Sequence, residues 1–176
     1  MQIRFTDDPT ELRESVDIAR EFLDDESYRP KFFRYPFSDQ DPEESVSVQI
    51  ATDIVAFRPS LTTLVLQELW KVKGNELTSR LLVEAKRLGK KVRPEYTCVL
   101  TFYGPRGYYD PPETMYVNIA ETPPETILAT LLHELLHLVF EDDHTDQLDD
   151  DVLEEYIDAL FRGIWGDLFP GYHGTE

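Results

Sequence analysis

From Ile127 to Phe140 the chain is apolar at every position except Thr130, His133, Glu134 and His137. With Thr126 these exceptions fall at i, i+4, i+7, i+8 and i+11, which on an α-helix is one narrow stripe. A helix that is apolar around the rest of its circumference has to be embedded in a core. The chain must therefore build its fold around this segment, and the stripe must face solvent or a cleft. Thr122-Pro123-Pro124-Glu125 reads as the start signal: a Thr N-cap, a proline at the first helical position and a Glu three residues after the cap.

The stripe carries His133-Glu134-Leu135-Leu136-His137. Positions i and i+4 stack on one helix face, so both imidazoles can present a ring nitrogen to one metal ion. Glu134 sits at the edge of that face, placed to handle a water rather than the metal. Two imidazoles leave zinc needing one more protein ligand and one open position, the arrangement of a catalytic site. The plain alternative is a wet helix edge on which two histidines mean nothing. Histidine usage argues against it: of four in the chain, His133, His137 and His144 fall within twelve residues.

A second helix follows an acidic loop. Asp149-Asp150-Asp151 supply cap and first-turn anions, and helical periodicity continues to about Trp165. Leu153, Ile157, Leu160 and Ile164 form its buried stripe, with Phe161 beside it. Glu154 flanks that inward face, whereas Glu155 shares a more exposed face with Asp158, Ala159 and Arg162. Antiparallel packing against the first helix would bring Glu154 beside the imidazoles as third metal ligand. His144 is the alternative third ligand, if the loop from Leu138 to Asp143 folds back. Glu141 is a weaker candidate, because its side chain points along the helix away from His133.

These residues resemble the zincin metallopeptidases of the glutamate-ligand branch. Glu154 followed by Ile157-Asp158 and Leu160-Phe161 is similar to the small ImmA/IrrE-type metallopeptidases, and the resemblance covers residues 114 to 165. The departures are Ile157, where a small residue is usual, and a shorter separation from His137. The resemblance implies an α+β fold: a zincin-like minimal domain whose small antiparallel sheet packs on the active-site helix and a following C-terminal helix, with further helices N-terminal. It implies zinc as cofactor, a peptide or protein substrate, Glu134 as general base and an edge strand at 115–120 that pairs with substrate. Tyr108 or Tyr109 could reach such a site, although packing aromatics are the commoner case. Leu135-Leu136-His137-Leu138 through Asp143-His144 also resembles, more poorly, the zinc endoribonucleases of ribosomal RNA maturation, which have no Glu at the position of Glu134. A non-catalytic regulatory or binding module built on the same core is the other alternative.

At 176 residues the chain suits a single domain, residues 1–176, with a mainly helical part over 1–95 and the sheet and metal-site helices over 96–165. Gln2 to Thr6 alternates like a strand, and Asp8-Pro9-Thr10-Glu11 starts a helix through Leu12, Val16, Ala19 and Leu23. Residues 27 to 45 read as a long loop. Val46, Val48 and Ile50 suggest a strand within 46–57. Two helices, Ser60 to Lys71 and Asn75 to Leu88, would join across Gly74. Strand-like runs at 96–103 and 115–120 flank a turn-rich Gly104–Pro112, which predicts a hairpin.

A formal charge of −18 disfavours nucleic acid as a partner, since that binding depends on cations neutralising phosphates. Eleven arginines, six lysines and abundant carboxylates suit either a high-salt cytoplasm or a basic partner. The single cysteine, Cys98, excludes an internal disulfide and fits a reducing compartment. With no signal-like N-terminus and no apolar run of membrane-spanning length, the expected location is the cytoplasm, without a membrane partner.

Overall fold

The computed structural model describes residues 1–24, 33–37, 43–120, 122, 126–141 and 148–174. The elements are β1 (Gln2–Thr6), α1 (Pro9–Asp24), β2 (Phe33–Arg34), α2 (Glu43–Phe57), α3 (Pro59–Arg87) and β3 (Glu95–Thr101), then β4 (Gly104–Pro105), β5 (Gly107–Asp110), β6 (Thr114–Asn118), α4 (Ile127–Phe140) and α5 (Asp150–Trp165). The fold is α+β, with one four-stranded sheet in the order β1-β3-β6-β5 and a short β2–β4 pair.

Alternation along the strands sorts side chains onto the two sheet faces. Ile3, Phe5, Tyr96, Cys98, Leu100, Met115 and Val117 point into one core, where they meet α3, α4 and α5. Val99, Tyr108 and Tyr116 point the other way, against Ile18 and Phe22 of α1. The sheet is thus covered on both faces, with the apolar α4 in the larger core as its composition demands.

The sheet is mixed rather than antiparallel. β1 runs parallel to β3, and β3 parallel to β6, with Val99 beside Tyr116; only β5 is antiparallel to its neighbour β6, with Tyr108 opposite Tyr116. The expected hairpin between 96–103 and 115–120 does not form. Gly104–Pro112 is more than a turn: the chain crosses the end of β6, runs back as β5 on its far side, and enters β6 between β5 and β3. The free edge beyond β6 is therefore β5, not the 115–120 strand. β1 also crosses the expected 1–95 and 96–165 division, because it is a sheet strand itself.

Three further expectations are corrected. Residues 46–57 are helical, not a strand: Val46, Ile50 and Asp53 are buried at i, i+4 and i+7, while Val48 is 61% exposed. α3 is one helix through Gly74, whose missing Cβ would stand 3.0 Å from the Trp70 indole; the glycine serves close packing rather than a break. α4 begins at Ile127 behind Thr126, not behind Thr122. Thr122 instead donates its hydroxyl to the Arg106 carbonyl at 3.2 Å and its N–H to the Asn118 carbonyl at 2.9 Å, tying the connection to the sheet. Pro123, Pro124 and Glu125 lie outside the described residues. α1 and α5 form where their periodicity places them. Among the described residues no helix is long and apolar enough to cross a membrane.

Candidate metal centre

α4 lies against β5 and β6 on one side and α5 on another, which leaves its polar stripe no bulk solvent. His133 and His137 are 1% and 2% exposed and Glu134 is 4% exposed. The wet-edge reading fails on those values. α5 carries Glu154 to the imidazoles, as the antiparallel packing requires.

The two Nε2 atoms are 3.0 Å apart, Glu154 Oε2 is 3.1 Å from His133 Nε2, and Glu154 Oε1 is 3.3 Å from His137 Nε2. Tetrahedral zinc with bonds near 2.0–2.1 Å separates its ligand atoms by ~3.3 Å. The two imidazole nitrogens and the Glu154 carboxylate are therefore spaced on the scale of a metal-ligand set before any ion is placed. His133, His137 and Glu154 could hold a metal ion, and they are the one such group among the described residues. Glu154 is 47% exposed, so the centre opens to solvent along that side chain. His144, the alternative third ligand, lies outside the described residues.

Each outer imidazole nitrogen has its own carboxylate. His137 Nδ1 is hydrogen-bonded to Glu141, and the Tyr109 hydroxyl, 2.7 Å from both oxygens of that carboxylate, donates its one proton to it. The Tyr109 ring lies on the His137 ring, 4.5 Å between centroids and 13° from parallel. His133 Nδ1 stands 3.4 Å from Asp158 Oδ1 and 2.6 Å from the Tyr172 hydroxyl. Such outer partners orient ligand histidines and raise their basicity.

Hydrogen-bond accounting shows why a cation fits. Every ring nitrogen faces a carboxylate: Nδ1 of His137 at Glu141, Nδ1 of His133 at Asp158 and both Nε2 at Glu154. A neutral imidazole has one proton; kept on Nδ1, it leaves both Nε2 lone pairs converging on the Glu154 carboxylate. Three acceptors within van der Waals reach need either protons or a metal between them. Metal-free, they take protons. Burial lowers the His137 imidazole, but Glu141 and Glu154, with Glu134, outweigh it and raise it to about 10. His133 is raised as well, with Asp158 and Glu154 overcoming its burial. Burial opposes ionisation of Glu154, yet both imidazoles hold its carboxyl well below the usual carboxylate range.

Glu134 differs. Burial raises its pKa, the imidazoles pull it down, and Glu154 and Glu141 push it up again, for a net upward shift. A buried carboxyl raised in this way holds a proton more readily than a free carboxylate, a property suited to proton transfer. Its space comes from Gly107 of β5, where a Cβ would stand 2.7 Å from Thr130 Cγ2 and 2.9 Å from Glu134 Cδ.

The structure brings His133, His137 and Glu154 together, and brings Tyr109 beside them while burying Tyr108 against Tyr116. Asp158, read as exposed, faces His133 instead. Its spacing of four from Glu154 was the available signal, since it places both on one turn-to-turn face. Glu141, weighed only as a ligand, is the partner of His137. Tyr172 carried no periodic signal. Compared with known proteins, the chain matches no family model, no curated protein and no solved structure.

Proposed function

We propose that the protein is a zinc-dependent metallopeptidase. The observation that carries the reading is the convergence of His133 Nε2 and His137 Nε2 on each other and on the two oxygens of the Glu154 carboxylate, with Glu134 buried one residue along the same helix. Zinc held by these three residues supplies Lewis acidity toward a scissile carbonyl and toward water. Glu134 takes the proton from the attacking water and delivers it to the leaving amine, a task its raised pKa supports. Glu141 and Asp158 hold the two imidazoles in register. β5, next to the centre, is an edge strand of the sheet, the position along which an extended peptide can lie by strand addition.

The rival reading, a binding module with a structural metal, needs a closed coordination shell. The solvent-exposed side of Glu154 favours the open, catalytic arrangement over it. Elemental analysis of protein purified without chelators, followed by peptide hydrolysis with and without added zinc, tests the proposal. One zinc per chain and zinc-dependent cleavage are expected. A chain that takes up zinc but cleaves no peptide in a broad library would leave the metal site and remove the peptidase.

A further inference from the structure

The segment after α5 folds back across the metal centre. Leu168 and Phe169 donate their N–H groups to the Trp165 carbonyl at 2.8 and 3.0 Å, and the Tyr172 N–H reaches the Phe169 carbonyl at 3.0 Å. These turns lay the Tyr172 ring on Phe161, 3.9 Å between centroids and 26° from parallel. Arg80 of α3 anchors the start of the segment through Asp167, at 2.5 and 3.0 Å. Its end passes directly over Asp158: Gly174 has φ +91°, and a Cβ there would stand 3.1 Å from Asp158 Cγ. The backbone and the carboxylate are fitted to each other.

The Tyr172 hydroxyl is thereby inserted between Asp158 and His133. It donates to Asp158 Oδ1 at 3.2 Å. A hydroxyl has one proton. With that proton on Asp158, the oxygen that lies 2.6 Å from His133 Nδ1 must accept there. With an ion bound, His133 would then keep its proton on Nδ1 and turn a bare Nε2 toward the ion, beside His137 and Glu154.

We propose that Tyr172 is a positioning residue of the metal centre: its hydroxyl, linking Asp158 to His133, fixes the imidazole tautomer and rotation that present Nε2 to the ion, so that residues 166–174 form part of the site. The inference rests on the metal-binding half of the function proposed above and is independent of peptide hydrolysis. A carboxylate and a tyrosine thus stand behind each imidazole, but in different order: Glu141 contacts His137 Nδ1 and is itself held by the Tyr109 hydroxyl, whereas the Tyr172 hydroxyl reaches His133 Nδ1 directly.

The test is zinc affinity of the full chain and of Tyr172→Phe, by competition with a chromophoric chelator, together with the visible spectrum of each cobalt-loaded form. Phenylalanine keeps the ring on Phe161 and removes only the hydroxyl. Affinity is expected to fall roughly 10- to 100-fold, with shifted cobalt bands. A chain ending at Gly171 should lose at least as much. Equal affinity in wild type and Tyr172→Phe overturns the proposal. So does a weaker variant with an unchanged cobalt spectrum, because the tail would then only stabilise the fold. A wild-type chain that binds neither zinc nor cobalt sinks the metal-site reading itself, an outcome separate from an indifferent Tyr172.

Discussion

Glu134 and Gly107 form one unit, the first supplying a carboxyl and the second the space for it. On the proposed function, replacing Glu134 by Gln keeps the shape and removes the base. Zinc content should stay at wild-type level while peptide turnover falls by at least ~100-fold, the range of a lost general base. Elemental analysis beside a hydrolysis assay reads both, and loss of zinc would move Glu134 from base to ligand. Gly107→Ala attacks the same carboxyl from the strand side. Its methyl would press on Thr130 Cγ2 and Glu134 Cδ, at 2.7 and 2.9 Å. Overpacking of this kind costs about 1–3 kcal/mol. A lower melting temperature and a fall in turnover, with zinc retained, are expected. Unchanged turnover would mean that β5 gives way without moving Glu134.

At the scale of elements, α3 is the clearest test of how this chain uses glycine. If 59–87 is one helix, Gly74→Pro removes an interior hydrogen bond and clashes with the preceding turn, costing ~3 kcal/mol or more. Urea unfolding measures it, and a tolerated proline would restore a two-helix reading with a joint at Gly74. That glycine misleads because breaker and close-contact glycines look alike until Trp70 is seen beside it. α1 and α5 were legible because their apolar residues keep a 3.6 period, and α4 because its few polar residues do. α2 was not, since Val46, Val48 and Ile50 fit a period of two, and the exposure of Val48 with the burial of Asp53 breaks the tie. β5 was hidden among the glycines and prolines of 104–112, where four residues are too few for an alternation to register. His133, Glu134, His137 and Glu154 could be read locally, each being fixed by spacing along a helix. Tyr172 could not, because it depends on a tail crossing another element.

For the whole molecule, the centre gathers Glu134, Glu141, Glu154 and Asp158 around two imidazoles in a chain whose formal charge is already −18. Protons or a divalent cation must offset that concentration of charge, and the two compete. In the metal-free protein His137 is raised from 6.5 to about 10. Its contribution to stability is complete below 6.5, where folded and unfolded chains are both protonated, and is lost as pH rises toward 10. His133 and Glu134, both raised, tilt stability the same way. Glu154 works in the opposite sense: its folded pKa is depressed, so its contribution is present above 4.5 and lost on further acidification. The metal-free protein should therefore be most stable from ~pH 5 to ~pH 6.5 and weaken steadily above that. Zinc reverses the slope, because binding at Nε2 must displace the imidazole protons and so strengthens as they leave. The gap in melting temperature between zinc-loaded and chelator-stripped protein should thus widen from about pH 6 to about pH 9. A gap that stayed flat across that range would show that the imidazoles do not hold the metal, whatever the stoichiometry.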